Sequence, residues 1–541
     1  QEEEAKFSKI LAEIRRDVPI AIPLPKESWR QGISPEKLLT LLHDLEFRSL
    51  LPRVKTLIGT ELFTETQVES SPEVAKEDRE RAALALWVID SNFTTPSLED
   101  VYRFTKTREF AKAEVTLTEE IKKRELQFVY EKIELPLMPL LRKMEDRGVL
   151  IDVPFLKDLS KNYTKELNRL AGRIYAKAGE EFNINSPRQL GTILFDKLGL
   201  ALKNHKKTGG GQKSTRESEL VKMQGQHPII PDILAHRELQ KLLSTYIDSI
   251  PTLVDSKNRL HTHFVQTGTT TGRVSSQDPN LQNIPIKTEL GQPIRKAFIA
   301  SEGFSLVAFD YSQIELRIAA FLSGDSTLSD IFRKGGDIHA SVAARVFAVD
   351  EKNVTPDMRR RAKVINFGIL YGMGVTALQQ NLETTRKEAS EFLAKYFETF
   401  SRLGEYLEEQ KAFAYKHGYT LTYFGRRRYF ESIRSNIPFI RAAAERMALN
   451  APMQGTQADI VKLAMLRVEE FLKKDGHLED AHLLLQVHDE LVYEVRSSKV
   501  EELSPHIKNI MENVLTAKET GGVPLIAKGA AGENWGELKP L

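Results

Sequence analysis

The chain has 541 residues, 41% hydrophobic and 28% charged, with a formal net charge of +2 and no cysteine. That length exceeds one hydrophobic core, so several domains are expected. The lack of cysteine excludes disulfides and thiolate metal ligands and fits a reducing cytoplasm, while near-neutral charge leaves nucleic-acid binding to local basic surfaces. No apolar run approaches the roughly 20 residues that span a bilayer. The start QEEEAKF lacks the basic and apolar regions of a signal peptide, so a soluble, cytoplasmic protein without membrane contact is expected. The absence of an initial methionine reads as a fragment of a longer protein.

To about residue 120 the chain mixes helical patterns with polar breaks such as TETQVESSPEVAKED and carries no clear catalytic cluster. Asp78 and Glu80 form an Asp-x-Glu pair, but in EVAKEDRERAALALW they precede an apolar helical stripe and read as a solvated helix face. Over 155–174, Phe155, Leu156, Leu159, Tyr163, Leu167, Leu170 and Ile174 recur at helical spacing and predict an amphipathic helix. Its other side carries Lys157, Lys161, Lys165, Arg169 and Arg173, a row that either follows a phosphate backbone or is simply solvated. KNHKKTGGGQKST is a basic, glycine-rich loop without GxxxxGK[ST] spacing, either a DNA-touching tip or an ordinary surface loop. A second helical pattern through ILAHRELQKLLSTYIDSIPTLV completes a two-helix clamp around that loop. Beyond Leu260, LHTHFVQTGTTTGRVSSQDPNLQNIP predicts short strands and turns, with Arg273 behind a glycine that lets backbone approach a ligand. Its amides suit phosphate, sugar and minor-groove contacts, or else form a polar hairpin without a ligand.

Two aspartates end or interrupt apolar runs that read as buried strands: Asp310 in LVAFDYSQIELR and Asp489 in LLLQVHDELVYEV. Each alone also fits a turn or a cap. Taken together they suit Mg²⁺, which is held by one or two carboxylates plus substrate phosphates, and two such ions stabilise phosphoryl transfer. Glu490 follows Asp489 on a strand-like segment whose alternate residues face opposite sides. Between the aspartates, RRRAKVINFGILYGMG predicts a helix with Arg359, Lys363, Phe367 and Tyr371 at steps of four on nearly one face. Two cations followed by two aromatics could grip a triphosphate and then a base; a solvated face and core rings are the alternatives. Gly368, Gly372 and Gly374 weaken the helix near its end, as an element that closes over a site requires. These parts describe a nucleotide-polymerising site.

DYSQIELR and QVHDELV closely resemble two signature motifs of family A DNA polymerases, the bacterial DNA polymerase I class, and RRRAKVINFGILYGMG resembles that family's fingers motif. TTTGRVSSQDPNLQNIP, GDIHA, FGRRRY and NAPMQGTQADIVKLAM extend the resemblance in order from about Glu134 to the C-terminus. It implies an α+β multidomain fold: a right-hand polymerase with an antiparallel palm sheet, helical fingers and helical thumb, plus a reduced exonuclease-like N-terminal domain. The implied boundaries are 1–125 for the end of a 5' nuclease region and a truncated 3'-5' exonuclease-like domain, and 126–152 for the lead-in to the palm. The thumb is then 153–250, the palm 251–320 and 437–541, and the fingers 321–436. The implied activity is template-directed addition of deoxynucleotides to a primer 3'-OH by two-metal-ion phosphoryl transfer, with primer-template DNA and deoxynucleoside triphosphates as partners of a monomer.

By the same resemblance Asp310, Asp489 and Glu490 are catalytic. Asp310, Asp489 and the backbone carbonyl of Tyr311 hold two Mg²⁺ ions, or Mn²⁺ in their place. Gln313, Glu315, His339, Arg359, Lys363, Phe367 and Tyr371 bind the incoming nucleotide. Arg273, Asn280, Gln282, Asn283, Arg446, Asn450, Gln454 and His488 touch DNA or the nascent pair. Glu315 resembles the steric gate against a ribose 2'-hydroxyl, with an ion pair to Arg317 as the competing account. Phe367, where some members have Tyr, implies discrimination against dideoxynucleotides.

The resemblance thins toward the N-terminus. Residues 1–53 resemble only the end of the 5' nuclease region, most clearly at LEFRSLLPRV, and the nuclease itself is absent. The segment before Glu134 is too short for a full proofreading domain, and only ALWVIDSNFTTPSLEDVYRF and FAKAEVTLTEE match. Lys112 holds the position of one exonuclease carboxylate, where a cation repels metals, so no proofreading is expected. The rival readings are a polymerase favouring RNA and a non-catalytic DNA clamp; loss of Asp310 or Asp489 would mark the clamp, and both are present.

Overall fold

The computed structural model describes residues 74–541 except 201, 203, 204, 207, 208, 210, 286 and 287, together with positions 34, 38, 41 and 42. The chain divides into two compact units, Gln1–Val74 and Ala75–Leu541. LEFRSLLPRV lies outside the described residues. In the first unit, the Leu38 N–H donates to the Ser34 carbonyl at 3.0 Å, one helical turn.

The second unit opens with helices α1 (Lys76–Ile89), α2 (Leu98–Thr105) and α3 (Phe110–Lys123). They enclose a core of their own that includes Leu84, Leu86, Trp87, Val101, Leu117 and Ile121. A capping box of Ser97 and Asp100 starts α2. Asp78 and Glu80 lie on α1, where Glu80 pairs with Arg142, so this carboxylate serves a helix face as expected. Lys112 on α3 is exposed and pairs with Glu109 at 2.8 Å.

Helix α4 (Leu135–Arg147) leads through strand β1 (Val149–Ile151) into α5 (Val153–Ala178). This is the predicted amphipathic helix: the Asp152 side chain caps it by accepting from Phe155 N–H, and Leu156, Leu170 and Ile174 are buried. Its cationic row is partly neutralised, by Asp158 on Lys161, Glu166 on Arg169, and Asp232 of α6 (Ile229–Leu242) on Arg173 at 2.6 Å. Helices α5 and α6 pack together, as the two-helix reading requires. The tip of the basic loop between them lies largely outside the described residues.

Strands β2 (Arg259–Leu260), β3 (His263–Val265), β4 (Ser275–Gln277) and β5 (Phe298–Ile299) follow. Strand β1 lies between β2 and β5, and β3 pairs with β4 as the predicted polar hairpin. After β6 (Phe304–Tyr311) come seven helices: α7 (Ile314–Ser323), α8 (Ser326–Arg333), α9 (Ile338–Phe347), α10 (Pro356–Leu370), α11 (Val375–Leu382), α12 (Arg386–Thr399) and α13 (Ser401–His417). A small hairpin, β7 (Tyr419–Leu421) and β8 (Arg427–Tyr429), precedes the long α14 (Pro438–Lys474). The chain closes with β9 (Ala481–Val487), β10 (Glu490–Arg496), α15 (Val500–Glu512), β11 (Ala527–Gly532) and β12 (Lys539–Pro540).

The largest sheet is antiparallel, in the order β12-β11-β6-β10-β9. AHLLLQV is buried at every position, which explains its unbroken apolar run, and α15 covers β6 and β11. One continuous core joins this sheet to α5 and to the helices from α7 to α14. Among the described residues no helix is long and apolar enough to cross a membrane.

Candidate active site

Strand β10 runs antiparallel to β6 in a register that sets Glu490 opposite Asp310. The apolar run that contains Asp489 is broken in two: His488 and Asp489 form a two-residue turn between β9 and β10, closed by the pair Val487 and Glu490. His488 takes a φ of +58°, uncommon for a residue with a Cβ. The turn is held by Gln486 Nε2 donating to the His488 carbonyl at 2.6 Å and by Tyr311 N–H donating to the Asp489 carbonyl at 3.2 Å. The second bond joins the hairpin tip to the end of β6, which brings Asp310 and Asp489 to one place.

Asp310 is exposed at the end of β6, yet the protein around its carboxyl displaces enough water to push it up to about 7, and the charges of Asp489 and Glu490 add to the effect. Asp489 is likewise raised by burial, against the pull of His488 and Arg273. Neither carboxylate forms an ion pair among the described residues. Glu490 differs, because its Oε1 accepts from Trp535 Nε1 at 3.2 Å and Arg295 lies 3.6 Å from its carboxylate. The Tyr311 hydroxyl donates to the Met511 carbonyl at 2.8 Å inside the core, so only the backbone of Tyr311 is left for a ligand role. Among the described residues no group of three or more His, Cys, Asp or Glu gathers as a metal cage. Two carboxylates with outside oxygens completing the shell fit a hard cation such as Mg²⁺.

Thr355 caps α10 by accepting from Met358 N–H. Arg359 and Lys363 are exposed on this helix, Phe367 is half-buried against the core, and Tyr371 lies just past the last turn, 45% exposed. Arg359 Nε donates to Asp337 at 2.6 Å, and Asp337 also caps α9 by accepting from the N–H groups of His339 and Ala340. His339 is buried, with Nδ1 3.0 Å from Asn366 Nδ2 and its ring 5.8 Å from Phe367. Burial, with Arg359 and Lys363 adding, pushes His339 down to about 4, so it is neutral near pH 7. Two of the three glycines lie in close approach: a Cβ on Gly368 would meet Met373 Sδ at 2.9 Å, and one on Gly372, at φ +67°, would meet Arg446 Cγ at 2.8 Å, whereas one on Gly374 would meet nothing within 4 Å.

Gln313, at φ +54°, turns the chain from β6 into α7. Glu315 on that helix is buried and accepts from Arg273 Nη2 at 2.8 Å and from the Tyr371 hydroxyl at 2.9 Å. Arg317 instead donates to the carbonyls of Ser312 and Pro524 and lies over Phe332, so the alternative Glu315–Arg317 pair is not formed. Burial, helped by Glu315, pushes the Tyr371 hydroxyl up to about 12 and keeps it a donor.

Arg273 also bonds Gln457. Gln282 Nε2 donates to the carbonyls of Val274 and Gln486, Asn280 Oδ1 accepts from Gln282 N–H, and the Asn283 carbonyl accepts from Tyr246. On α14, Arg446, Asn450 and Gln454 share a face at steps of four, and the buried Asn450 Oδ1 has no partner among the described residues. The Asn283 and Gln454 side chains form no hydrogen bond among the described residues. Gln457, Gln486, Asp337 and Asn366 escape a reading of the sequence. The signals for two of them were present: Gln457 stands one helical step from Gln454, and Gln486 two residues before His488.

Two unpaired carboxylates at a sheet end and a helix bearing cations and aromatics have the chemistry that a divalent ion and a polyphosphate demand. Residues 153–537 match DNA polymerase family A, and the chain belongs to that family. The thermostable DNA polymerase I of Thermus filiformis is 48% identical over 416 residues, 76% of this chain and 49% of that protein. The DNA polymerase I of Deinococcus radiodurans is 46% identical over 413 residues, 76% of this chain and 42% of that protein. The chain thus spans about half the length of the curated relatives it matches. The solved POL domain of Pol1 from M. smegmatis, in complex with DNA primer-template and dNTP, is similar with a TM-score of 0.79 and 36% identity, covering 84% of this chain and 81% of that one. The fold is that of an α+β polymerase.

Proposed function

We propose that this chain is a monomeric, template-directed DNA polymerase that extends a primer 3'-OH with deoxynucleoside triphosphates and does not proofread. The observation that carries it is the pair Asp310 and Asp489: two carboxylates at one end of the sheet, raised above their ordinary range, with no ion-pairing cation among the described residues. Membership of the family supports it. Residues 251–320 and 437–541 form the palm, 126–152 lead into it, 153–250 form the thumb and 321–436 the fingers.

Asp310 and Asp489, with the Tyr311 carbonyl, would hold two Mg²⁺ ions, or Mn²⁺ in their place. When bound, such ions acidify the primer 3'-hydroxyl and carry negative charge on the phosphates. Arg359 and Lys363 grip the triphosphate while the primer 3'-hydroxyl gives its proton to solvent water, its oxygen bonds to the α-phosphorus, the bond from that phosphorus to the α–β bridging oxygen breaks, and pyrophosphate leaves. To do so Arg359 gives up Asp337, a half-exposed ion pair worth little in water. Neutral His339 offers the ring nitrogen that Asn366 does not engage. Phe367 packs by the sugar and disfavours dideoxynucleotides, Tyr371 stands by the templating base, and Gln313 and Glu315 flank the ribose. Glu315 excludes a 2'-hydroxyl.

Arg273, Gln282, Asn283, Asn450, Gln454 and His488 face the minor groove or the nascent pair, testing pair geometry through acceptors present in every Watson–Crick pair, and Asn280 and Arg446 are further contacts to the DNA. Residues 1–125 are the end of a 5' nuclease region and a truncated exonuclease-like domain, a reading supported by Lys112 in place of a carboxylate. Extension of a labelled primer with each deoxynucleotide singly tests the function: only the template's complement is added. Addition that ignores the template, or none, overturns it. A 3'-mismatched labelled primer left without nucleotides stays intact; its shortening overturns the lack of proofreading.

A further inference from the structure

A set of buried charges lies apart from the two aspartates. Glu134, Arg426, Asp459 and Lys462 have side chains no more than 4% exposed. Arg426 bonds Asp459 through Nε at 2.9 Å and Nη2 at 2.6 Å and also bonds Glu134, and Lys462 Nζ reaches Glu134 at 2.7 Å. Apolar residues of the same volume often stabilise a core at least as well as such a set, so geometry is the more promising role.

The geometry concerns the loop between β3 and β4. Gln266 donates to the Glu134 carbonyl at 2.7 Å and bonds its carboxylate. Trp87, carried by α1 and 1% exposed, has both Arg426 and Lys462 5.2 Å from its ring centroid, and its Nε1 donates to the Thr269 carbonyl at 2.8 Å. The Thr269 hydroxyl in turn donates to the Arg273 carbonyl at 2.8 Å. Thr95 N–H, also from the N-terminal helices, donates to the Thr267 carbonyl at 3.1 Å. At Gly272, φ +88°, an added Cβ would stand 2.8 Å from Arg426 Nε, so the backbone lies directly on the cluster. The next residue is Arg273, whose guanidinium reaches Glu315 and Gln457 while its buried Nε has no partner among the described residues.

We infer that Trp87 is a positioning residue for the nucleotide site: from α1 it fixes, through Thr269 and the Glu134–Arg426–Asp459–Lys462 cluster, the loop that aims Arg273 at Glu315. The segment 76–123 is on this account a working support of the site and not a passive remnant. The inference rests on the polymerase function proposed above.

The test uses the full chain with Trp87→Phe, which keeps a ring beneath the cations and removes the N–H, and with Thr269→Val, which keeps the carbonyl that Trp87 bonds but removes the hydroxyl that passes the hold on to Arg273, so that a parental rate in Thr269→Val breaks the path even if Trp87→Phe fails to fold. The single-turnover rate of correct nucleotide addition, measured well below the melting temperature, falls about three- to tenfold in each, as loss of one hydrogen bond predicts. Affinity for primer-template changes no more than it does in Arg273→Ala. In an Arg273→Ala background neither change lowers the rate further, whereas general loosening would lower it in both backgrounds. A parent that extends primers while both variants keep its rate, or losses that multiply in the Arg273→Ala background, overturns this inference alone. A parent that never extends a primer overturns the polymerase function and the inference with it.

Discussion

Replacing Glu315 with alanine has two separable consequences. The Glu315 side chain is 8% exposed and holds Arg273, whose side chain is 26% exposed, while its other oxygen accepts from Tyr371. Breaking a buried pair from one side costs about 3–5 kcal/mol. Arg273 is partly in water and keeps Gln457, which reduces the loss to roughly 1–2 kcal/mol. The second consequence is steric. Forcing an extra group into a filled site costs about 1–3 kcal/mol, so removing the carboxylate raises the ratio of ribonucleotide to deoxynucleotide efficiency roughly 5- to 150-fold. Glu315→Gln keeps the volume and one acceptor but loses the charge, so it lowers deoxynucleotide efficiency while the ratio stays parental. The assay is kcat/KM for single additions of a deoxynucleotide and its ribonucleotide counterpart, with melting temperature alongside. An unchanged ratio in Glu315→Ala would refute the steric role, and an equal rise in Glu315→Gln would show that charge, not bulk, sets it.

Glu134→Gln leaves Arg426 and Lys462 facing each other with only Asp459 as counter-charge, and a loss of about 3–5 kcal/mol is expected in denaturant titration; a variant as stable as the parent contradicts the cluster's role. His339 titrates near 4 against an ordinary 6.5, and His482 behaves alike, so between these values the unfolded chain binds protons that the folded chain refuses. Stability therefore falls as pH drops from about 6.5 toward 4, and His339→Gln flattens part of that slope in melts across pH. Arg446→Ala reduces the magnitude of the slope of log Kd for duplex DNA against log salt by about one, with no change in sequence preference; a parental slope places Arg446 off the backbone.

Local patterns carried well from sequence to structure. The 155–174 stripe became α5, and the stripe on α10 held its cations outward and Phe367 against the core. LLLQVHDELVYEV shows no glycine or proline at its break, because the turn rests on His488 in a left-handed conformation. Gly368, read as a weak point in a helix, also lies against Met373, a contact that only tertiary packing decides. The partners of Glu315 and Arg359 were hidden because each comes from a distant segment: Arg273, Tyr371 and Asp337. The buried cluster draws Glu134, Arg426, and Asp459 with Lys462 from three separated places, and only the last two, one helical step apart, are neighbours in sequence.

The most direct test of the two-aspartate site is metal-dependent primer extension by the parent, Asp310→Ala and Asp489→Ala, with affinity for primer-template measured in parallel. The parent extends, chelation stops it, and Mg²⁺ or Mn²⁺ restores it; both variants bind DNA like the parent but extend at least about a thousandfold more slowly, the several kcal/mol that metal-held charge contributes. Near-parental extension by either variant, or a parent that binds the duplex and never extends it, would contradict the account.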